Sequence, residues 1–69
     1  MPNIPAHITG TVVRVEKSPG DPVSAGEPIV ILESMKMEMP VEALVGGTVL
    51  EIRCVTAQAV NEGDLLVIL

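Results

Sequence analysis

Apolar positions along this chain fall in short runs broken by proline and glycine, a pattern that leaves no room for a long helix. Ile4, Ala6 and Ile8 alternate with Pro5, His7 and Thr9, which predicts a half-buried strand. Val13 and Val15 alternate with Arg14 and Glu16, and Leu50 and Ile52 with Glu51 and Arg53, so these apolar side chains are expected to share an inward phase. Ser18-Pro19-Gly20-Asp21-Pro22 is dense in turn formers. The continuous runs Ile29-Val30-Ile31-Leu32 and Leu65 to Leu69 read as buried strands. Gly26 and Gly63 each precede one of these runs, where a turn needs positive φ.

The pattern occurs twice. At an offset of 37 residues Gly10-Thr11-Val12 falls on Gly47-Thr48-Val49, and Val30-Ile31-Leu32 on Val67-Ile68-Leu69. Val23 meets Val60 and Gly26 meets Gly63, while Ile4, Ala6 and Ile8 fall on Val41, Ala43 and Val45. The copies run 1–32 and 38–69, and only Glu33-Ser34-Met35-Lys36-Met37 lies between them. Two copies are too few for a solenoid, so an internal pseudo-two-fold axis is the better reading. The expected fold is all-β: two small antiparallel sheets packed as a sandwich or flattened barrel. Under that symmetry Lys36 belongs in a tight turn between the copies, and the chain ends belong at the opposite pole. Copy two has Ala57-Gln58 where copy one has Gly20-Asp21, so that turn is expected to differ or to be looser.

Composition narrows the function. With 69 residues the chain makes one domain, 1–69, and with no aromatic residue the core must be Val, Ile, Leu, Ala and Met. Nine acidic residues against four basic ones give a net charge of −5, which repels nucleic-acid phosphates and anionic lipids. No nucleic acid and no membrane are therefore expected as partners, and no apolar run approaches the roughly 20 residues that span a bilayer. The N-terminal Met-Pro-Asn-Ile-Pro-Ala-His lacks the basic and apolar regions of a secretory signal, so a cytoplasmic protein is the expectation. Met1 and the small size favour a stand-alone protein over a piece of a longer subunit. A single cysteine, Cys54, excludes an internal disulfide; it lies in phase with Leu50 and Ile52 and reads as a buried or half-buried structural thiol. His7 is the sole histidine, on the outward phase of its strand, with no nucleophile or second metal ligand near it in sequence. No metal site and no catalytic residue are expected.

The junction Leu32-Glu33-Ser34-Met35-Lys36-Met37-Glu38 resembles the biotinyl/lipoyl attachment family, and most of all the biotin carboxyl carrier domains, whose Glu-Ala-Met-Lys-Met motif takes biotin on its lysine. Glu33, Met35, Lys36 and Met37 match, and Ser34 stands where alanine is usual. Gly10-Thr11-Val12, Gly20-Asp21, Val23, Gly26, Glu38 and Gly47 also sit where the family has them, so the resemblance covers nearly the full chain. It implies a flattened barrel, or hammerhead, of two four-stranded antiparallel sheets, with Lys36 at an exposed hairpin tip. It further implies a non-catalytic carrier domain or subunit of a biotin-dependent carboxylase, with biotin joined to Lys36. The implied partners are a biotin protein ligase, a biotin carboxylase and a carboxyltransferase.

The residue types suit that chemistry. Amide formation on an activated acyl group needs a primary amine, which lysine alone supplies among side chains. Any help with deprotonation of the amine is expected to come from the ligase. Met35 and Met37 offer flexible, polarizable contacts suited to a ligase and successive partners. Glu33, Ser34 and Glu38 are flanking candidates, and the two glutamates read equally well as solvated strand-end charges. Ser34 also resembles the Glu-Ser of glycine-cleavage carriers, which keeps lipoate on Lys36, alone or beside biotin, as the alternative cofactor. The other alternative is an interaction module that is never modified.

Overall fold

A computed structural model describes residues 3–69. Nine strands follow in order: Asn3–Pro5 (β1), Gly10–Val15 (β2), Pro22–Val23 (β3), Pro28–Ser34 (β4), Met37–Glu42 (β5), Gly47–Thr48 (β6), Glu51–Ile52 (β7), Ala59–Val60 (β8) and Leu65–Ile68 (β9). All pairings are antiparallel, and the described residues contain no helix. One sheet has the order β5-β4-β2-β8. The facing strands form a three-stranded sheet, β1-β9-β7, and a two-stranded ribbon, β3-β6.

The repeat explains this division. Moving copy one by 37 residues carries β1 onto β5, β3 onto β8, β4 onto β9, and β2 onto β6 and β7 together. The order β5-β4-β2-β8 then becomes β1-β9-β7/β6-β3, so the second sheet is the mate of the first with one strand interrupted at Val49-Leu50. Hydrogen bonds between the copies are reciprocal. The Ala6 N–H donates to the Asp64 carbonyl at 2.8 Å and Ala43 N–H to Glu27 at 3.0 Å; Val12 N–H donates to Gln58 at 2.9 Å and Val49 N–H to Asp21 at 2.9 Å. A bond from the first copy to the second is returned by one from the second to the first, as a two-fold rotation requires. Asn3 stands opposite Ile68, so the two described ends lie side by side; Met1 lies outside the described residues.

The core is a single cluster contributed in mated pairs: Ile4 with Val41, Ala6 with Ala43, Val12 with Val49, Val23 with Val60, Ile29 with Leu66, Leu32 with Leu69. Burial near 0% at Ile29, Val30, Leu32, Leu66 and Val67 agrees with the expectation for the two continuous apolar runs. Two sequence expectations need correction. Leu50 is not inward but 56% exposed, and Val13 is only half-buried; Val12 and Val49 take the buried places. The cause is a bulge. Val12 pairs with Leu32 and Arg14 with Ile31, so Val13 is an extra residue that resets the alternation, and Leu50 is its mate in copy two. Beyond the bulge Val15 and Ile52 pack against the core, and Cys54 is buried, as the alternation implies.

The Ala57-Gln58 turn is also not different. Ala57 adopts φ 75° where Gly20 adopts φ 94°, and Ala57 N–H bonds Val12 O at 2.8 Å as Gly20 N–H bonds Val49 O at 2.8 Å. Side chains reproduce the turn as well: Ser18 N–H donates to Asp21 Oδ2 at 2.8 Å and Val55 N–H to Gln58 Oε1 at 3.0 Å. The bonding network overrides the local preference for glycine.

Candidate functional site

Strands β4 and β5 form the hairpin that joins the two copies. Its ladder runs from Pro28↔Glu42 to Ser34↔Met37, which leaves Met35 and Lys36 as a two-residue loop. Positive φ at both, 53° and 65°, is the signature of a type I′ turn, whose twist matches that of the flanking strands. Such turns favour Asn-Gly. Met and Lys hold left-handed backbone at a cost on the order of 1 kcal/mol each, borne by the ladder beneath them. A strained pair of non-glycine residues at a loop tip is a pointer to use rather than to folding.

Exposure follows from that geometry. Met35 is 92% and Met37 61% exposed, and Lys36 is exposed between them. Among the described residues the Lys36 ammonium enters no ion pair. The amine therefore stands at an apex, with a methionine on each side and no competing carboxylate holding it.

Below the apex the hairpin has two unlike faces. Paired residues in an antiparallel ladder project to the same side. Glu33↔Glu38 and Thr11↔Glu33 therefore set two carboxylates on the outward face of the sheet, with Ile31↔Pro40 and Arg14↔Ile31 further down. Like charges directly opposite are unfavourable. Arg14 relieves this from β2: its Nη1 lies 3.7 Å from Glu38 Oε1 while its Nε bonds Glu16 Oε1 at 2.6 Å. The other face carries Ser34 and Met37 above Leu32↔Met39, where Ser34 and Met39 are half-buried and Leu32 is fully buried. Met37 and Met39 thus form a continuous apolar edge from the tip to the core.

Gly10 permits the close approach of β2 under the hairpin. A Cβ there would stand 2.5 Å from the Glu33 carbonyl oxygen, nearer than atoms can sit, so only glycine fits. All six candidate site residues (Glu33, Ser34, Met35, Lys36, Met37, Glu38) thus lie in the last two rungs and the loop of one hairpin. Sequence reasoning passed over Met39 and Arg14. Met39 was findable, since it lies two residues from Met37 and shares its strand face; Arg14 was not, because its reach to Glu38 depends on the bulge. Away from the hairpin tip, an apolar groove of about 540 Å³ between the edge strands β1 and β5 is lined by Ile4, Pro5, Pro40, Val41, Leu44 and Leu69 among others, and Lys36 is not among its lining residues.

Comparison with known proteins agrees with the all-β fold. A family model described as "Biotin-requiring enzyme", for biotin/lipoyl domains, matches residues 1–69. The chain is 44% identical over 64 residues to a biotin carboxyl carrier protein of Streptococcus mutans, covering 93% of this chain and 49% of that one. It therefore spans about half the length of that relative. Among solved structures it superposes on part of a single-chain, multi-domain long-chain acyl-CoA carboxylase with TM-score 0.90 and 32% identity, over 96% of this chain and 7% of the other. It also matches the lipoyl domain of the 2-oxoglutarate dehydrogenase complex of Azotobacter vinelandii, with TM-score 0.71 and 37% identity, over 86% of this chain and 75% of that domain.

Proposed function

The chain belongs to the biotin/lipoyl domain family of biotin-requiring enzymes, and from that premise we propose that it is a carrier whose Lys36 is biotinylated and conveys an activated carboxyl group from a biotin carboxylase to a carboxyltransferase. The observation that carries the reading is the Lys36 amine at the apex of a two-residue turn, exposed and outside every ion pair of the described residues. That site suits a covalent passenger: an amide forms there without removing any contact on which the fold depends. When bound, biotin supplies the ring that takes up and gives back CO₂.

The chain's own residues do the holding and presenting. The I′ turn fixes the direction in which the side chain leaves the domain, and the β4–β5 ladder keeps the tip rigid. Met35 and Met37 give each partner an adaptable apolar contact. Neither the turn nor its flanks include a group placed to act on the carried carboxyl, so the chemistry belongs to the partners. A biotin protein ligase is the partner that installs the group. Ser34 lies in the last rung beside Met37, where it contacts whatever approaches the apolar face.

Lipoate on the same lysine is the second reading, favoured by the likeness to a lipoyl domain. Co-expression with a biotin protein ligase, and separately with a lipoate ligase, followed by intact mass, tests both. The expected result is one biotinyl group per chain, retention on streptavidin, and loss of both in a folded Lys36→Arg variant. Exclusive lipoylation replaces the first reading by the second. A wild-type chain modified by neither ligase leaves an interaction module.

A further inference from the structure

The chain holds two lysines, Lys36 and Lys17, and the fold treats them in opposite ways. Lys17 follows β2 at the position mated to Cys54, a buried place in copy two, and its side chain is only 21% exposed. Its Nζ lies 2.7 Å from Glu27 Oε2. Glu27 is fixed before the lysine arrives: its Oε1 accepts the Ser24 N–H at 3.0 Å, and its own N–H donates to the Ser24 carbonyl at 3.0 Å. Copy two keeps this turn, with Asp64 Oδ2 accepting the Asn61 N–H at 2.8 Å, but has a thiol instead of a cation at the mated place. The carboxylate's role in the turn is thus independent of the lysine, and the lysine is the added element.

We propose that the Lys17–Glu27 pair masks the second lysine amine of the domain, so that Lys36 is the lysine acylated first. Acylation joins the amine nitrogen to a carbonyl carbon, breaks the bond from that carbon to its leaving group, and releases a proton from nitrogen. It needs a neutral, approachable amine. The ion pair opposes both: Glu27 holds Lys17 as the ammonium, raising its pKa above the ordinary 10.5, with Asp21 adding to the same field, and the half-buried stem restricts approach. A domain that works among activated acyl groups thereby steers them toward Lys36. That consequence rests on the carrier reading; the masking itself does not.

The test uses the unmodified full chain and a small acylating reagent, the N-hydroxysuccinimide ester of acetate, in limiting amount, with site occupancy read by peptide mass spectrometry. No ligase is involved, so a failure here and a failure of the carrier reading are separately visible. Lys36 is expected to react about two- to fivefold faster than Lys17, the span set by the modest strength of a partly exposed ion pair. Glu27→Gln, which keeps an acceptor for Ser24, closes most of that gap by speeding Lys17 and leaves Lys36 unchanged. In the wild-type chain about 1 M salt, which shortens the screening length to about 3 Å, narrows the gap in the same direction without any substitution. Equal rates at the two lysines in the wild type, or a Lys17 rate indifferent to both Glu27→Gln and salt, overturn the proposal.

Discussion

The two halves of the molecule share a bonding map and share little else on their surfaces. Residues 3–32 and 40–69 repeat the same turns and reciprocal backbone bonds. Yet Arg14 beside Glu16 becomes Glu51 beside Arg53, the same ion pair with its charges exchanged, at 2.6 and 3.2 Å. Lys17 becomes Cys54, and Gly20 becomes Ala57. Backbone connectivity and the paired core positions define the unit, while outward and half-buried places are free to diverge. Where a divergence is tied to a contact that its mate lacks, as at Lys17–Glu27 or Gly10–Glu33, a local reason has to be found for it.

Substitutions at mated positions turn that contrast into measurements. The largest difference is expected at Gly10 and Gly47. An added Cβ meets the Glu33 carbonyl at 2.5 Å in the first case and only Leu69 Cβ at 3.7 Å in the second. Gly10→Ala should cost about 2 kcal/mol or more and Gly47→Ala within about 0.5 kcal/mol, measured by urea unfolding. Equal costs would show that the two approaches are alike despite the geometry.

Next comes the turn pair. Ala57→Gly removes a side chain from φ 75° but loosens the unfolded chain, for a net gain of about 0.5 kcal/mol; Gly20→Ala at φ 94° loses about 1 kcal/mol. Opposite signs at mated sites are the outcome that matters. Thermal midpoints of the two variants would read them.

The pair Lys17 and Cys54 predicts the shape of the pH profile. Burial raises the Cys54 thiol above its ordinary 9.0, and Glu27 raises Lys17 above 10.5. Both groups favour the folded state in their protonated forms, so the stability they add is complete below those ordinary values and is lost as pH rises past them. Glu27 is the reverse. Lowered from 4.5 by Lys17 first and the Ser24 N–H second, it stabilises above that value and loses its contribution as pH falls below it. Melting temperatures across pH should show a shallower acid limb in Glu27→Gln and a shallower alkaline limb in Cys54→Ala, whatever the core substitution does to the overall height. The smallest effect belongs to Arg14→Ala, about 0.5 kcal/mol or less, because its contacts to Glu16 and Glu38 are exposed.

How much of this was legible beforehand depends on what each feature needs. The repeat was read from identities such as Gly-Thr-Val and Val-Ile-Leu, and with it came the pairing of the copies and the turn at Lys36. The inward phase at Leu50 was misread because an extra residue in a strand leaves no mark in composition; it shows only against the partner strand. Ala57 was misjudged because a local propensity is weak beside the bonds that fix the turn. The two-faced hairpin could be drawn as far as Met37 and Met39 from alternation alone. Arg14 reaching Glu38 and Lys17 reaching Glu27 needed three strands or a loop in register, which no one-dimensional pattern contains.

Asn3 standing opposite Ile68 has a consequence for gene architecture. A unit whose entry and exit are neighbours on one ladder can be spliced into a larger polypeptide as a cassette without spreading the host on either side. With the halves interchangeable under rotation, closing those ends with a short linker and opening the chain elsewhere should regenerate the same barrel with its halves in swapped order.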